Sequence, residues 1–200
     1  MVTFEDIEAE FESQLARIDD SSIRKKVVAA WSKACLRGGW KSIEELRALP
    51  FTVATDAKGI SLVQHVKAAT EGAVALAKIQ AEVLPAFPNV DMNVLVAGAL
   101  LHDLNKVLVI ERDEENGFRK KHLSFEQVRT FPCVQITRDA GLPESIVGIV
   151  AYECTNAIGS PHNVEAIVVH HADMTTFDTM NYLNTMGLSN TDDNSKELVS

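Results

Sequence analysis

The stretch from Val94 to Leu101 constrains the fold more than any other part of the chain. It reads Val-Leu-Val-Ala-Gly-Ala-Leu-Leu and offers no polar face. A helix that is apolar all round must be buried on most sides by other elements. The run falls well short of the roughly 18 apolar residues that span a bilayer, and it stops at His102-Asp103. The rest of the chain therefore has to supply helices that surround it. Two ionisable residues are then carried to the edge of the resulting core.

Helical periodicity fills most of the remaining sequence. Phe4, Ile7, Phe11, Leu15 and Ile18 recur at three- and four-residue steps and predict one amphipathic helix. Asp19-Asp20-Ser21-Ser22 breaks it and caps a helix over Ile23 to Cys35, which Gly38-Gly39 ends. Ser42 and Glu45 stand in capping-box spacing at the head of a short helix that Pro50 stops. Residues 51–60 read as a loop, and Ser61 to Val83 as a long helix that carries His65 and ends before Pro85 and Pro88. Asp91 to Leu104 forms the apolar helix. Beyond it, β-prone flanks around Asn116-Gly117 predict a small hairpin at about 107–121, the only sheet expected in the chain. Helices resume over 124–140, 143–156 and about 163–186, and residues 188–200 read as a polar tail. The expected class is all-α. Residues 1–58 are expected as N-terminal helices packing on a core formed by 59–187.

Composition narrows the partners. With 46% hydrophobic and 24% charged residues, the 200-residue chain has the balance of an ordinary globular protein. The net charge of -9 disfavours nucleic acid polymers and anionic membranes. A small anionic substrate stays compatible, because a local metal can outweigh the global field. Cys35, Cys133 and Cys154 are odd in number and far apart; they suggest neither a CxxC pair nor a disulfide framework and fit a reducing compartment. The N-terminus lacks a basic region followed by an apolar one, so the expected location is cytoplasmic.

The chemistry gathers where ionisable groups sit inside apolar helices. His65 lies in Leu62-Val-Gln-His65-Val, His102-Asp103 follows Ala99-Leu-Leu, and Asp173 follows Ala166-Ile-Val-Val-His-His-Ala. Burying any one of them unpaired costs several kcal/mol or a large pKa shift. One shared cation would satisfy all four. Imidazole and carboxylate donors suit Mn, Zn, Fe, Co or Ni.

The order His65, His102-Asp103, Asp173 resembles the H…HD…D signature of the HD superfamily of metal-dependent phosphohydrolases, over about residues 60 to 180. The resemblance implies an HD-domain helical bundle over 59–187, with His65, His102, Asp103 and Asp173 as ligands of a divalent metal. It implies Asp103 and Lys106 as catalytic residues. Lys106 fits the HD-x-x-K variant of the branch that includes the HD-GYP phosphodiesterases, where the lysine contacts a substrate phosphate. This chain has Asn105 where that branch usually has Gly, and it has no GYP motif, so cyclic dinucleotide hydrolysis is not implied. Two-metal members add histidines between the HD pair and the final Asp. His122 stands in that interval, whereas Tyr152-Glu153 occupies the place of the next expected His. His122, Glu153 and His170 are candidates for a second metal or for substrate contact; His170 shares a helical face with Asp173. His162 reads as a cap or surface residue, and the role of His171 stays open.

The expected activity is hydrolysis of a small phosphoester or nucleotide by a metal-activated water. A non-phosphate substrate, a di-iron oxygenase on the same fold, and a non-catalytic HD regulatory module are the alternatives. The expected partner is a small molecule, and a homo-oligomer stays open.

Overall fold

The computed structural model describes residues 1–115, 117–122, 132–155 and 159–188. Helices α1 (Phe4–Glu10), α2 (Glu12–Leu15), α3 (Ser21–Gly38) and α4 (Ile43–Ala48) lead to the long α5 (Leu62–Val83). The apolar α6 (Met92–Leu101) and the single turn α7 (Lys106–Val109) precede a hairpin of β1 (Ile110–Asp113) and β2 (Gly117–Lys120). Helices α8 (Pro132–Asp139), α9 (Glu144–Cys154) and α10 (Val164–Thr185) complete the described elements. The fold is an all-α bundle with one small antiparallel ribbon among the described residues, Ile110 opposite Lys120 and Asp113 opposite Gly117.

The apolar run sits where its composition requires. Every residue from Val94 to Leu101 is buried, enclosed by α2, α3, α5, α9 and α10. The window Met92–Val109 is apolar enough by composition to cross a membrane, yet 67% of it is buried inside the bundle, as a core helix is. Gly98 lets α9 approach closely. A Cβ there would collide with Ile149, whose Cγ2 would lie 3.1 Å away.

The N-terminal helices join the same core. Trp31 on α3 is fully buried, its ring 5.2 Å from that of Phe11. Its Nε1–H donates to the Leu100 carbonyl at 2.9 Å, and the Trp40 Nε1–H donates to the Val107 carbonyl at 2.7 Å. A helix end leaves its last carbonyls without intrahelical partners. The first of these indoles satisfies one at the end of α6, and thereby locks the N-terminal segment to the point where His102 begins.

Several expectations change. The first helix is two, because the backbone breaks at Phe11 (φ -106°, ψ 19°) where the ring turns in against Trp31. The box at Ser42 is half-formed: Ser42 Oγ accepts the Glu45 N–H, but the Glu45 carboxylate takes the Lys41 N–H at 2.7 Å. The complete box forms at Ser61 and Gln64, the head of the helix that carries His65. The expected hairpin is shorter at its start, since residues 106–109 make a helical turn rather than strand. Their β-branched side chains read as strand, but Val107 is drawn into the core, where it is fully buried. Of the helix expected over 124–140, residues 124–131 lie outside the described residues, as does nearly all of the tail expected over 188–200.

Two of the three cysteines meet. Cys133 on α8 and Cys154 on α9 bring their sulfur atoms together, their Cα atoms 7.6 Å apart, while Cys35 is free and buried. Twenty-one residues separate the two in sequence, but α8 and α9 pack against each other and bring them together. Burial pushes the Cys35 thiol up to about 12.

Candidate metal centre

Three helices converge on one point. His65 occupies the second turn of α5, where Leu62 and Val66 also face the core. His102 is the residue after α6, and Asp173 lies mid-way along α10. His65 and His102 are each 1% exposed and Asp103 is 9% exposed, so none of them relies on bulk water. One donor atom from each of His65, His102, Asp103 and Asp173 lies within 4.8 Å of all the others.

The end of α6 orients the cluster. The Ala99 carbonyl, orphaned by the helix end, accepts the His102 Nδ1–H at 2.7 Å. That bond fixes the tautomer and leaves the Nε2 lone pair pointing inward, as in metal-ligating histidines. His102 Nε2 stands 3.2 Å from His65 Nε2. Two imidazole lone pairs that close need a proton or a cation between them. The carboxylates complete the ring of donors: His65 Nε2 is 2.9 Å from Asp173 Oδ1 and 3.3 Å from Asp103 Oδ2, and His102 Nε2 is 3.5 and 3.6 Å from the same two atoms. Two nitrogens and two oxygens in this arrangement fit a borderline divalent ion.

The electrostatics agree with the donor set. Burial pushes the His102 pKa down, but the Asp103 charge, the Asp173 bond and charge, and the Ala99 carbonyl outweigh it and hold it at about 9. His65 is raised as well, against burial, by its bonds to Asp103 and Asp173. Burial pushes Asp173 up, yet hydrogen bonds from His102 and His65 keep its carboxyl far below the usual range. For Asp103, burial is likewise outweighed, first by the Lys106 charge and then by the histidines. The metal-free cluster thus holds protons where a metal would hold charge.

This sets a pH dependence. Metal must displace those protons, so apparent Mn2+ affinity is expected to climb as pH rises and to level off above about 9. The rise should reach about tenfold per pH unit for each proton released. Calorimetric titration in buffers of different ionisation enthalpy counts those protons; an affinity flat across this range would contradict a protonated His102.

Asp103 and Asp173 of the cluster line a cavity of about 420 Å3, together with Lys106, Glu153 and His170. Lys106 Nζ is 3.8 Å from Asp103 Oδ1. Asp103 is therefore divided: Oδ2 faces the histidines and Oδ1 faces Lys106. Glu153 is buried, and burial raises its pKa; its Oε2 is 3.4 Å from His170 Nδ1.

Other histidines lie elsewhere. His122 is exposed after β2 and belongs to neither of the donor clusters found among the described residues. His162 is exposed and its ring lies over Gly148; Asn163, not His162, caps α10. His171 is exposed on α10, and its ring stands 5.7 Å from that of His170.

Some lining residues gave no signal in the sequence. Phe51 stacks on His65 with ring centroids 4.9 Å apart, held there by a bridge between Pro50 and Ser61. Met174 and Phe177 follow Asp173 on α10 and add apolar wall. Asn105, next to Lys106, also lines the cavity with a buried Oδ1 that has no hydrogen-bond partner among the described residues. The α10 pair was available from helical spacing, one and four residues past Asp173. Phe51 was not, since it comes from a loop.

A family model described as the HD domain matches residues 62–178. The chain belongs to the HD domain family. The matched span takes in His65, His102, Asp103 and Asp173, and membership places the chain in a superfamily of metal-dependent hydrolases. No curated protein and no solved structure matches the chain.

Proposed function

We propose that this HD domain hydrolyses a small cytoplasmic phosphoester or nucleotide by attack of a metal-activated water. The observation that carries the reading is Lys106, whose ammonium lines the cavity beside Asp103 and the donor cluster. His65, His102, Asp103 and Asp173 would hold a divalent ion, which would supply a bound water of pKa lowered towards about 7 and a Lewis acid for the electrophile. Asp103 Oδ1, the oxygen turned to Lys106, is placed to orient the attacking water and accept its proton. Lys106 neutralises charge developing on the phosphoryl oxygens. Phe51, Met174 and Phe177 shield the cavity from water and meet the less polar part of the substrate.

The charge distribution favours one phosphoryl group over a polyphosphate. Among the described residues, Lys106 is the lysine or arginine that lines the cavity. The ribbon arginines are engaged elsewhere: Arg112 with Glu45, and Arg119 with Glu111 and Asp113. Lys121 Nζ donates to the Gly38 carbonyl.

A panel of phosphomonoesters and phosphodiesters with the Mn2+-loaded protein tests the reading. Lys106→Ala is expected to lower kcat on the best substrate by about 10²- to 10³-fold, with metal content unchanged. If the metal-loaded protein cleaves no phosphoester, the substrate is of another class.

A further inference from the structure

Glu153 on α9 and His170 on α10 make a second donor set with Asp173, one ligand atom from each lying within 4.8 Å of the others. The Glu153 side chain is 6% exposed. Its Oε2 approaches His170 Nδ1 at 3.4 Å, long for a charge-assisted hydrogen bond. Its Oε1 is buried and has no hydrogen-bond partner among the described residues. Buried carboxylate oxygens are almost always satisfied, so an orphan beside an imidazole and a second carboxylate points to a missing positive ligand. An ion pair with His170 alone would leave Oε1 unsatisfied. All three residues line the cavity that also holds Asp103 and Lys106.

Asp173 belongs to both donor sets. Its Oδ1 is the oxygen turned to His65 and His102, and a carboxylate can bridge two cations through its two oxygens. We propose that Glu153, His170 and Asp173 hold a second divalent cation, with Asp173 bridging it to the ion held by His65, His102 and Asp103. The set is one imidazole and two carboxylates, which suits Mn2+ or Fe2+ and leaves coordination positions open. The second ion takes its extra donors from Glu153 and from the helix that carries the last aspartate, with no part for His122. The inference rests on the first centre being a metal site.

The 200-residue chain loaded with Mn2+, desalted and analysed for metal and by electron paramagnetic resonance tests this. The wild type is expected to keep two Mn2+ per chain with a spin-coupled signal. Glu153→Gln, nearly isosteric, and His170→Ala, at a partly exposed position, are each expected to keep one Mn2+ per chain, uncoupled, with unchanged helical circular dichroism. Two coupled ions persisting in both variants would overturn the second site. One ion in the wild type, kept by both variants and lost in His102→Ala, would overturn it and leave the first centre standing. A wild type that binds none would overturn both.

Discussion

His102→Ala is expected to reduce Mn2+ retention from stoichiometric to background and to abolish hydrolysis, while the helical circular dichroism stays near that of the wild type. The imidazole is the best-oriented donor of the cluster, its tautomer set by the Ala99 carbonyl at 2.7 Å. Its loss removes one of two nitrogens and leaves Asp103 and Asp173 with less positive charge to face. The residue follows the end of α6, and the buried leucines on either side of it in sequence, Leu100, Leu101 and Leu104, are kept in the variant. Full metal occupancy in the variant would mean that the donors are assigned wrongly. The metal-free proteins should also differ with pH. A folded-state pKa of about 9 against an ordinary 6.5 gives the wild type stability that is fully present below 6.5 and lost as pH rises through about 9. Asp173, held below its ordinary 3.8, contributes stability present above that value and lost on acidification. His102→Ala should blunt the alkaline loss, and urea unfolding across this range would measure it.

Trp31→Ala is expected to destabilise the protein by about 3–5 kcal/mol, the usual cost of emptying a large buried aromatic site. The side chain is wholly buried, packs against Phe11 and caps the Leu100 carbonyl. Trp31→Phe separates the two contributions: it keeps most of the ring but leaves that buried carbonyl unpaired, at a cost of about 1–3 kcal/mol. Because Leu100 lies two residues before His102, both variants should also loosen metal binding. Urea unfolding of the metal-free protein gives the stability term, and Mn2+ affinity gives the other. A Trp31→Ala protein as stable as the wild type would show that the N-terminal helices contribute little to this core.

Much of this was legible in the residues. Period located α3, α5, α6, α9 and α10, and in the fold Asp20, Ser61, Asp91 and Asn163 each carry an oxygen that takes up free N–H groups at the start of α3, α5, α6 and α10. The order of His65, His102-Asp103 and Asp173 marked the site, since isolated ionisable groups in apolar helices are too costly to bury singly. Where the reading failed, a tertiary contact outweighed local preference. Phe11 breaks a periodic helix to reach Trp31, and residues 106–109 coil despite β-prone side chains.

The sequence by itself determined that a helix apolar on all faces must be enclosed, and that ionisable groups stranded inside such helices must be gathered. Only the tertiary structure decided which of them meet. Glu153 and His170 come within reach of Asp173, while His122 stays in solvent. Cys133 finds Cys154, and Phe51 folds over His65 from a loop. Distance along a chain does not encode distance across a helix interface, so which donor completes a site is settled by how α9 and α10 pack against α6.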